Sequence, residues 1–202
     1  LPSKKITRTQ AVAFLGIQLF LSALILFSFS KAAIQLGFLA LALVVLYPWM
    51  KRITYWPQAF LGLTFNWGVL LGWAVLNGKI SITPFLFYSA GFFWTLCYDT
   101  IYAHQDREDD LLLGLKSTAI KLGDKTRPVL SLFFLLMILF LIAGGIKADL
   151  KWPYHLAMML VFLQAIRQLK NLNINDSFGC LQLFKANHWI GLIIFIGIIF
   201  GK

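Results

Sequence analysis

Charge is scarce in this 202-residue chain. Only 13% of its residues are Asp, Glu, Lys or Arg, against about a quarter in a soluble domain. Hydrophobic residues make up 59%, and mean hydropathy is +0.78. This balance excludes a soluble globular domain and points to an integral membrane protein. Acids are scarcest of all, eight against eighteen Lys and Arg, for a net charge of +10. In a soluble chain that surplus would suggest nucleic acid. In a membrane protein it reflects cytoplasmic loops and anionic headgroups, so no nucleic-acid partner is expected. The two cysteines, Cys97 and Cys180, form no CxxC or Cys/His metal pattern. The three histidines, His104, His155 and His188, lack ligand spacing as well. No charged start, short apolar core and cleavage site mark a signal peptide. The apolar run at 11–29 is therefore expected to remain in the mature chain as a span. There is no low-complexity linker, and Asn173–Ser177 reads as a polar turn. Residues 1–202 read as a single transmembrane domain.

What is present is a series of apolar runs, each close to the roughly 20 residues that cross a bilayer. The sequence predicts an all-α polytopic bundle of about seven helices, near 11–29, 32–47, 57–77, 82–103, 128–148, 152–170 and 186–201. Gly62, Gly68 and Gly72 in the third predict close helix packing. Of the Lys and Arg residues, Lys31, Lys79, Lys147, Lys151 and Lys202 fall on one side of this arrangement, and the other thirteen on the opposite side. The basic side is expected to be cytoplasmic, or its matrix equivalent. Every acid except Asp149 lies there too.

Five of the eight acids fall in Tyr98–Lys116: Asp99, Asp106, Glu108, Asp109 and Asp110. If the fourth helix continues to about residue 110, Asp99 and Asp106 are two turns apart, with Tyr102 between them on the same face. Asp106, Asp109 and Asp110 then form one stripe. Like charges so placed repel, and acids at a helix C-terminus meet the dipole unfavourably. Mg²⁺ relieves the repulsion and bridges carboxylates to substrate phosphates. The alternative is a solvated acidic loop, with Glu108 solvated in either case. Lys51, Arg52 and Lys116 share this face. Arg suits bidentate capture of phosphate or carboxylate, and Lys acts as a point charge. Lys4, Lys5, Lys170 and Lys185 read as topology anchors. Asn66 is the one plausible polar residue deep in a span. Aromatics Trp49, Tyr55, Trp56, Trp94, Tyr98 and Tyr102 lie near the basic face. An interfacial belt explains most of them, and some can face inward toward a carbocation.

The stretch YDTIYAHQDREDDLLLGLKST resembles the second aspartate-rich motif of the UbiA-type membrane prenyltransferases. More narrowly, it is similar to the 4-hydroxybenzoate polyprenyltransferase pattern YDTxYAxxDRxDDxxxGxKST. YPWMKR, WPQAFLGLTFNWG and CLQLFKANHWIG agree with it in collinear order, and LPSKKIT resembles the end of the loop after the family's first motif. The resemblance implies nine helices around a central cavity open to lipid, with Mg²⁺ and a polyprenyl diphosphate at its mouth. Departure of diphosphate leaves an allylic cation that attacks 4-hydroxybenzoate ortho to its hydroxyl, in ubiquinone synthesis. Catalysis would be electrostatic in a dry cavity, with no covalent enzyme intermediate. Asp106 and Asp110 match the second metal-binding pair, with Asp109 as a third candidate ligand. Arg52 matches a basic residue near the substrates and Lys116 a diphosphate contact. Asp99 and Tyr102 match the conserved flank, and Lys51 and Asn66 complete the candidate substrate-binding set. The first motif, an Asn and Asp pattern, is absent, so two helices are expected before Leu1. Two other readings stay open: a superfamily enzyme with a different acceptor such as a naphthoate or a haem, and a non-catalytic remnant. The expected setting is a bacterial or mitochondrial inner membrane.

Overall fold

Apolar segments in lipid must satisfy their own backbone groups, and helices do so internally. The computed structural model describes residues 6–202, and all the regular structure among them is helical. In chain order the helices are α1 (Arg8–Phe27), α2 (Lys31–Leu46), α3 (Met50–Ile53), α4 (Pro57–Phe65), α5 (Trp67–Asn77) and α6 (Ile82–Gln105). There follow α7 (Arg107–Leu112), α8 (Thr118–Leu122), α9 (Thr126–Lys147), α10 (Trp152–Asn171) and α11 (Ser177–Gly201). Side-chain caps set several starts. Thr7 and Gln10 form a capping box on α1, Ser30 caps α2, and Asp176 accepts from Gly179 N at 2.9 Å to open α11.

The seven expected spans correspond to α1, α2, α4 with α5, α6, α9, α10 and α11. Three details differ. The third span is broken at Asn66. The last helix begins nine residues earlier than expected, at Ser177 rather than 186, because the Asp176 cap starts it. The 104–127 region is not a plain loop, since it carries α7 and α8. Five segments are long and apolar enough to cross a membrane on composition alone: Arg8–Phe27, Lys31–Ile53, Pro57–Asn77, Thr118–Lys147 and Ser177–Gly201. α6 and α10 fall short because each carries polar side chains, among them Thr95, Asp99, Gln164 and Gln168.

α6 is the hub, packing against α9, α11, α4 and α5. Its polar residues are therefore hidden from lipid by protein, where such groups belong. The main core joins Ile101, Leu130, Phe134, Met137, Tyr154 and Val161 from α6, α9 and α10. A second core sets Ala33 and Leu36 of α2 against Leu70 and Ala74 of α5. Lipid tails are as apolar as these side chains, so close fit decides helix association. Small residues supply that fit. Gly145, Gly197 and Gly201 close on the buried Tyr154, whose hydroxyl donates to Leu141 O at 2.8 Å. Gly62 packs against the Phe92 ring as expected, since a Cβ there would lie 3.0 Å from it, but Gly68 and Gly72 face open space. Among the described residues, α1 contributes no buried residue, and α2 is the helix it packs on most.

Candidate active site

The C-terminal end of α6, the N-terminus of α9, the C-terminus of α10 and the N-terminus of α11 meet at one end of the bundle. His104 Nε2 lies 3.0 Å from Thr126 Oγ1, and Arg127 donates to Leu172 O at 2.7 Å. This end carries the acidic stretch.

α6 does not run unbroken to residue 110. It stops at Gln105, Asp106 turns the chain (φ −94°, ψ 5°), and α7 restarts at Arg107. One link survives the turn: Asp110 N donates to Asp106 O at 2.8 Å. Asp106 and Asp110 therefore remain one turn apart, as the sequence spacing predicts. Beyond α7 the chain folds back through Gly114 (φ +65°), which a residue with a side chain adopts only with strain. Leu115 N then donates to Asp110 O at 2.8 Å.

The five acids separate by environment. Glu108 and Asp109 are exposed, Asp99 and Asp106 half-buried, and Asp110 buried at 4% exposure. Asp110 is paired. Lys51 Nζ donates to both of its carboxylate oxygens, at 3.0 and 3.2 Å. Lys116 N donates to Lys51 O at 2.8 Å, so the short α3, α7 and the segment after Gly114 are tied together. Asp106 has no such cation to itself. Partial burial pushes its carboxyl above the usual carboxylate range; Lys51 opposes this, and Asp110 and Asp109 add to it. Among the described residues, no three His, Cys, Asp or Glu side chains converge as a metal cluster.

The basic residues divide differently from the expectation. Lys51, not Arg52, reaches the acids. Arg52 is exposed and lies over the Trp49 ring, 5.9 Å from its centroid. α3 is a single turn, so neighbours in sequence diverge in direction. Lys116 bonds Ile53 O at 3.1 Å and, with Lys121, sits over Tyr55.

From Asp106 one stripe descends α6 at four-residue steps: Tyr102, Tyr98 and Trp94. Tyr98 meets the Trp94 ring edge-on at 5.8 Å, and both tyrosines pack on Phe184 of α11. Below, Phe65, Asn66, Trp94, Tyr98, Phe184 and Asn187 line a cavity of about 380 Å³. Asn66 sits at the break between α4 and α5, where its Nδ2 donates to Gly62 O at 2.8 Å and to Thr95 Oγ1 at 2.9 Å. Thr95 in turn donates to Gly91 O, so Tyr98 donates its hydroxyl proton to Thr95. Trp94 Nε1 donates to Asn187 Oδ1 at 2.9 Å. The donors of Asn66, Thr95, Tyr98 and Trp94 in this wall are thus committed, Lys185 and His188 also line it, and aromatic faces are left toward the cavity. Sequence reasoning missed Phe65, Phe184 and Asn187. The last two lie within CLQLFKANHWIG, a stretch that carries the family resemblance without marking which of its residues face the cavity.

The arrangement is a carboxylate and ammonium rim above an aromatic cavity. Asp106 and Asp109 offer uncommitted hard oxygen donors, and Asp110 is one turn away in its pair with Lys51. This donor set suits a hard divalent cation in part, with the remaining coordination left to a ligand such as phosphate.

A model of the UbiA prenyltransferase family matches residues 1–192. The chain is 47% identical over 198 residues to the mitochondrial 4-hydroxybenzoate polyprenyltransferase of Aedes aegypti, covering 98% of this chain and 45% of that protein. It is 44% identical over 202 residues to the Drosophila melanogaster protein of the same name, covering 100% and 52%. The corresponding figures for the Homo sapiens protein are 43% over 213 residues, 98% and 57%. The chain spans about half the length of these curated relatives. A UbiA homolog from Aeropyrum pernix K1 shares the fold, with a TM-score of 0.77 at 22% identity, covering 98% of this chain and 74% of the other. A digeranylgeranylglyceryl phosphate synthase structure does so at 0.79 and 18%, covering 100% and 72%.

Proposed function

This chain belongs to the UbiA prenyltransferase family, and on that premise we propose that it is part of a 4-hydroxybenzoate polyprenyltransferase of ubiquinone synthesis. One observation carries the reading: the acid and lysine rim of α3 and α7 stands directly above the aromatic stripe Tyr102, Tyr98 and Trp94. A diphosphate needs the first and a polyprenyl chain the second. The identities of 43–47% with proteins of that name support the acceptor.

In this proposal Asp106 and Asp110, assisted by Asp109, would hold Mg²⁺, and the ion would neutralise the diphosphate as it departs. Lys51 and Lys116 add positive charge to the same leaving group. Asp110, paired with Lys51 in this structure, would hold the ion through the same carboxylate, and Lys51 would then be available to phosphate. Arg52, exposed beside Trp49, would hold the 4-hydroxybenzoate carboxylate. Asp99 and Tyr102 shape the entrance, and Asn66 holds the cavity wall through Thr95. Trp94, Tyr98 and Phe184 present π faces to the developing allylic cation and keep water from it. The aromatic ring attacks that cation through the carbon ortho to its hydroxyl, and that carbon then loses its proton. No side chain has to act as a nucleophile. The membrane would be a mitochondrial or bacterial inner membrane, with the rim on the basic, matrix or cytoplasmic side.

The test is an acceptor panel with one polyprenyl diphosphate in membranes carrying the protein. Preference for 4-hydroxybenzoate supports the proposal. Preference for a naphthoate or another acceptor overturns the assignment of the ring, and no transfer to any acceptor overturns the enzyme reading.

A further inference from the structure

Between α10 and α11, on the side away from the aromatic cavity, lies a polar recess of about 340 Å³. Gln182, Ala186 and Trp189 of α11 face it, opposite in helical phase to Phe184 and Gly191, which pack on Tyr98 and Trp94 of α6. Gln164, Arg167 and Gln168 of α10 form the other wall. Amides and a guanidinium between two membrane helices are costly unless something polar meets them.

Gln168 shows what is missing. It is 1% exposed, and its Oε1 accepts from Asn187 Nδ2 at 3.4 Å. Asn187 is itself fixed by Trp94, so the amide of Gln168 is held with its Oε1 end toward Asn187 and its NH₂ end away from it. That Nε2 has no hydrogen-bond partner. A buried donor left unmade costs about 1–3 kcal/mol. Arg167 beside it forms no ion pair among the described residues. Two adjacent donors, one of them charged, call for an acceptor-rich anion.

The setting says which anion. The recess lies at the basic end of the bundle, where α10 ends and α11 begins. Trp189 at its rim suits the headgroup level. One turn deeper on the face of α10 that carries Gln164 and Arg167 stands Leu160, and two turns beyond Trp189 on α11 stands Ile196, 46% and 43% exposed. Polar donors thus open onto an apolar track running into the bilayer. We propose that this recess binds an anionic phospholipid, with its phosphate on Arg167 and Gln168 and an acyl chain along Leu160 and Ile196.

The experiment uses the protein in phosphatidylcholine nanodiscs doped with dioleoyl phosphatidylglycerol, and counts retained lipid by native mass spectrometry. One phosphatidylglycerol retained per chain is expected. Arg167→Gln, at an exposed position, lowers its retention about tenfold through loss of one charge-assisted contact. Lys170→Gln, also exposed, leaves retention unchanged. Gln168→Leu lowers it less than Arg167→Gln does. Equal retention by the two exposed-site variants would overturn the proposal, as would equal retention of phosphatidylcholine. Saturable inorganic phosphate binding that Arg167→Gln abolishes, with lipid retention unaffected, would replace the lipid by a free anion.

Discussion

Lys51 and Asp110, 59 residues apart in sequence, form an ion pair of 3.0 Å in which the lysine side chain is 41% exposed and the carboxylate 5%. The pair couples the turn after α2 to the acidic helix α7. Removing the lysine strands a buried charge. Lys51→Met is expected to cost about 1–3 kcal/mol, below the value for a fully buried pair because water reaches the lysine. Arg52→Met, at an exposed neighbour, stays within about 0.5 kcal/mol. The double variant Lys51→Met with Asp110→Leu recovers much of the loss. Thermal unfolding in detergent checks all three.

Asp106 carries the opposite electrostatic load. Its carboxyl is raised, first by partial burial and then by Asp110 and Asp109, against the pull of Lys51. The folded protein therefore takes up this proton before the unfolded chain does. The Asp106 contribution to stability rises as pH falls from above the raised value toward the ordinary carboxylate range, and is lost as pH rises again. Asp106→Asn is accordingly expected to melt slightly higher than the parent at neutral pH without divalent ions. With Mg²⁺ the order reverses, since an ion at 100 times its Kd adds about 2.7 kcal/mol and the variant binds it weakly. An unchanged order with Mg²⁺ would remove Asp106 from the metal site.

The break at Asn66 is sterically locked by Gly91. A Cβ there would strike the Asn66 side chain, with its Oδ1 closest and its Cγ at 2.7 Å. Gly91→Ala is expected to destabilise by about 1–3 kcal/mol and to free Thr95 and Tyr98. Gly68→Ala, in open space two residues past the break, changes little. Side-by-side melting curves decide this.

Phe184 bridges the rim and the cavity by packing on both Tyr98 and Tyr102. Phe184→Leu is expected to weaken polyprenyl diphosphate use several-fold while leaving Mg²⁺-dependent stabilisation intact. Steady-state assays combined with the melting test separate the two effects.

The apolar runs of α1, α2 and α9 made those helices readable, because length and composition alone demand a span. Asp106 and Asp110 were readable as a pair because a four-residue spacing keeps them one turn apart even across the helix break. The break at Asn66 was not readable. Its carbonyl and amide partners include Thr95, 29 residues away, and no Pro or paired Gly marks the position. The choice of Lys51 over Arg52 depends on direction within a single turn of helix, which sequence does not encode locally. Asp176 as the cap of α11 was available in Asp-Ser-Phe-Gly, but the polar turn around it masked the start. The cavity wall formed by Phe65, Phe184 and Asn187 required knowing that α11 packs on α6.

The central claim is that the acidic rim positions a metal-bound diphosphate above the aromatic cavity. It is tested most directly by prenyl transfer to 4-hydroxybenzoate in membranes with Mg²⁺, comparing the parent protein with Asp106→Ala at matched membrane insertion. The account predicts that the variant inserts normally and loses most product formation. Near-normal product formation by Asp106→Ala would contradict it.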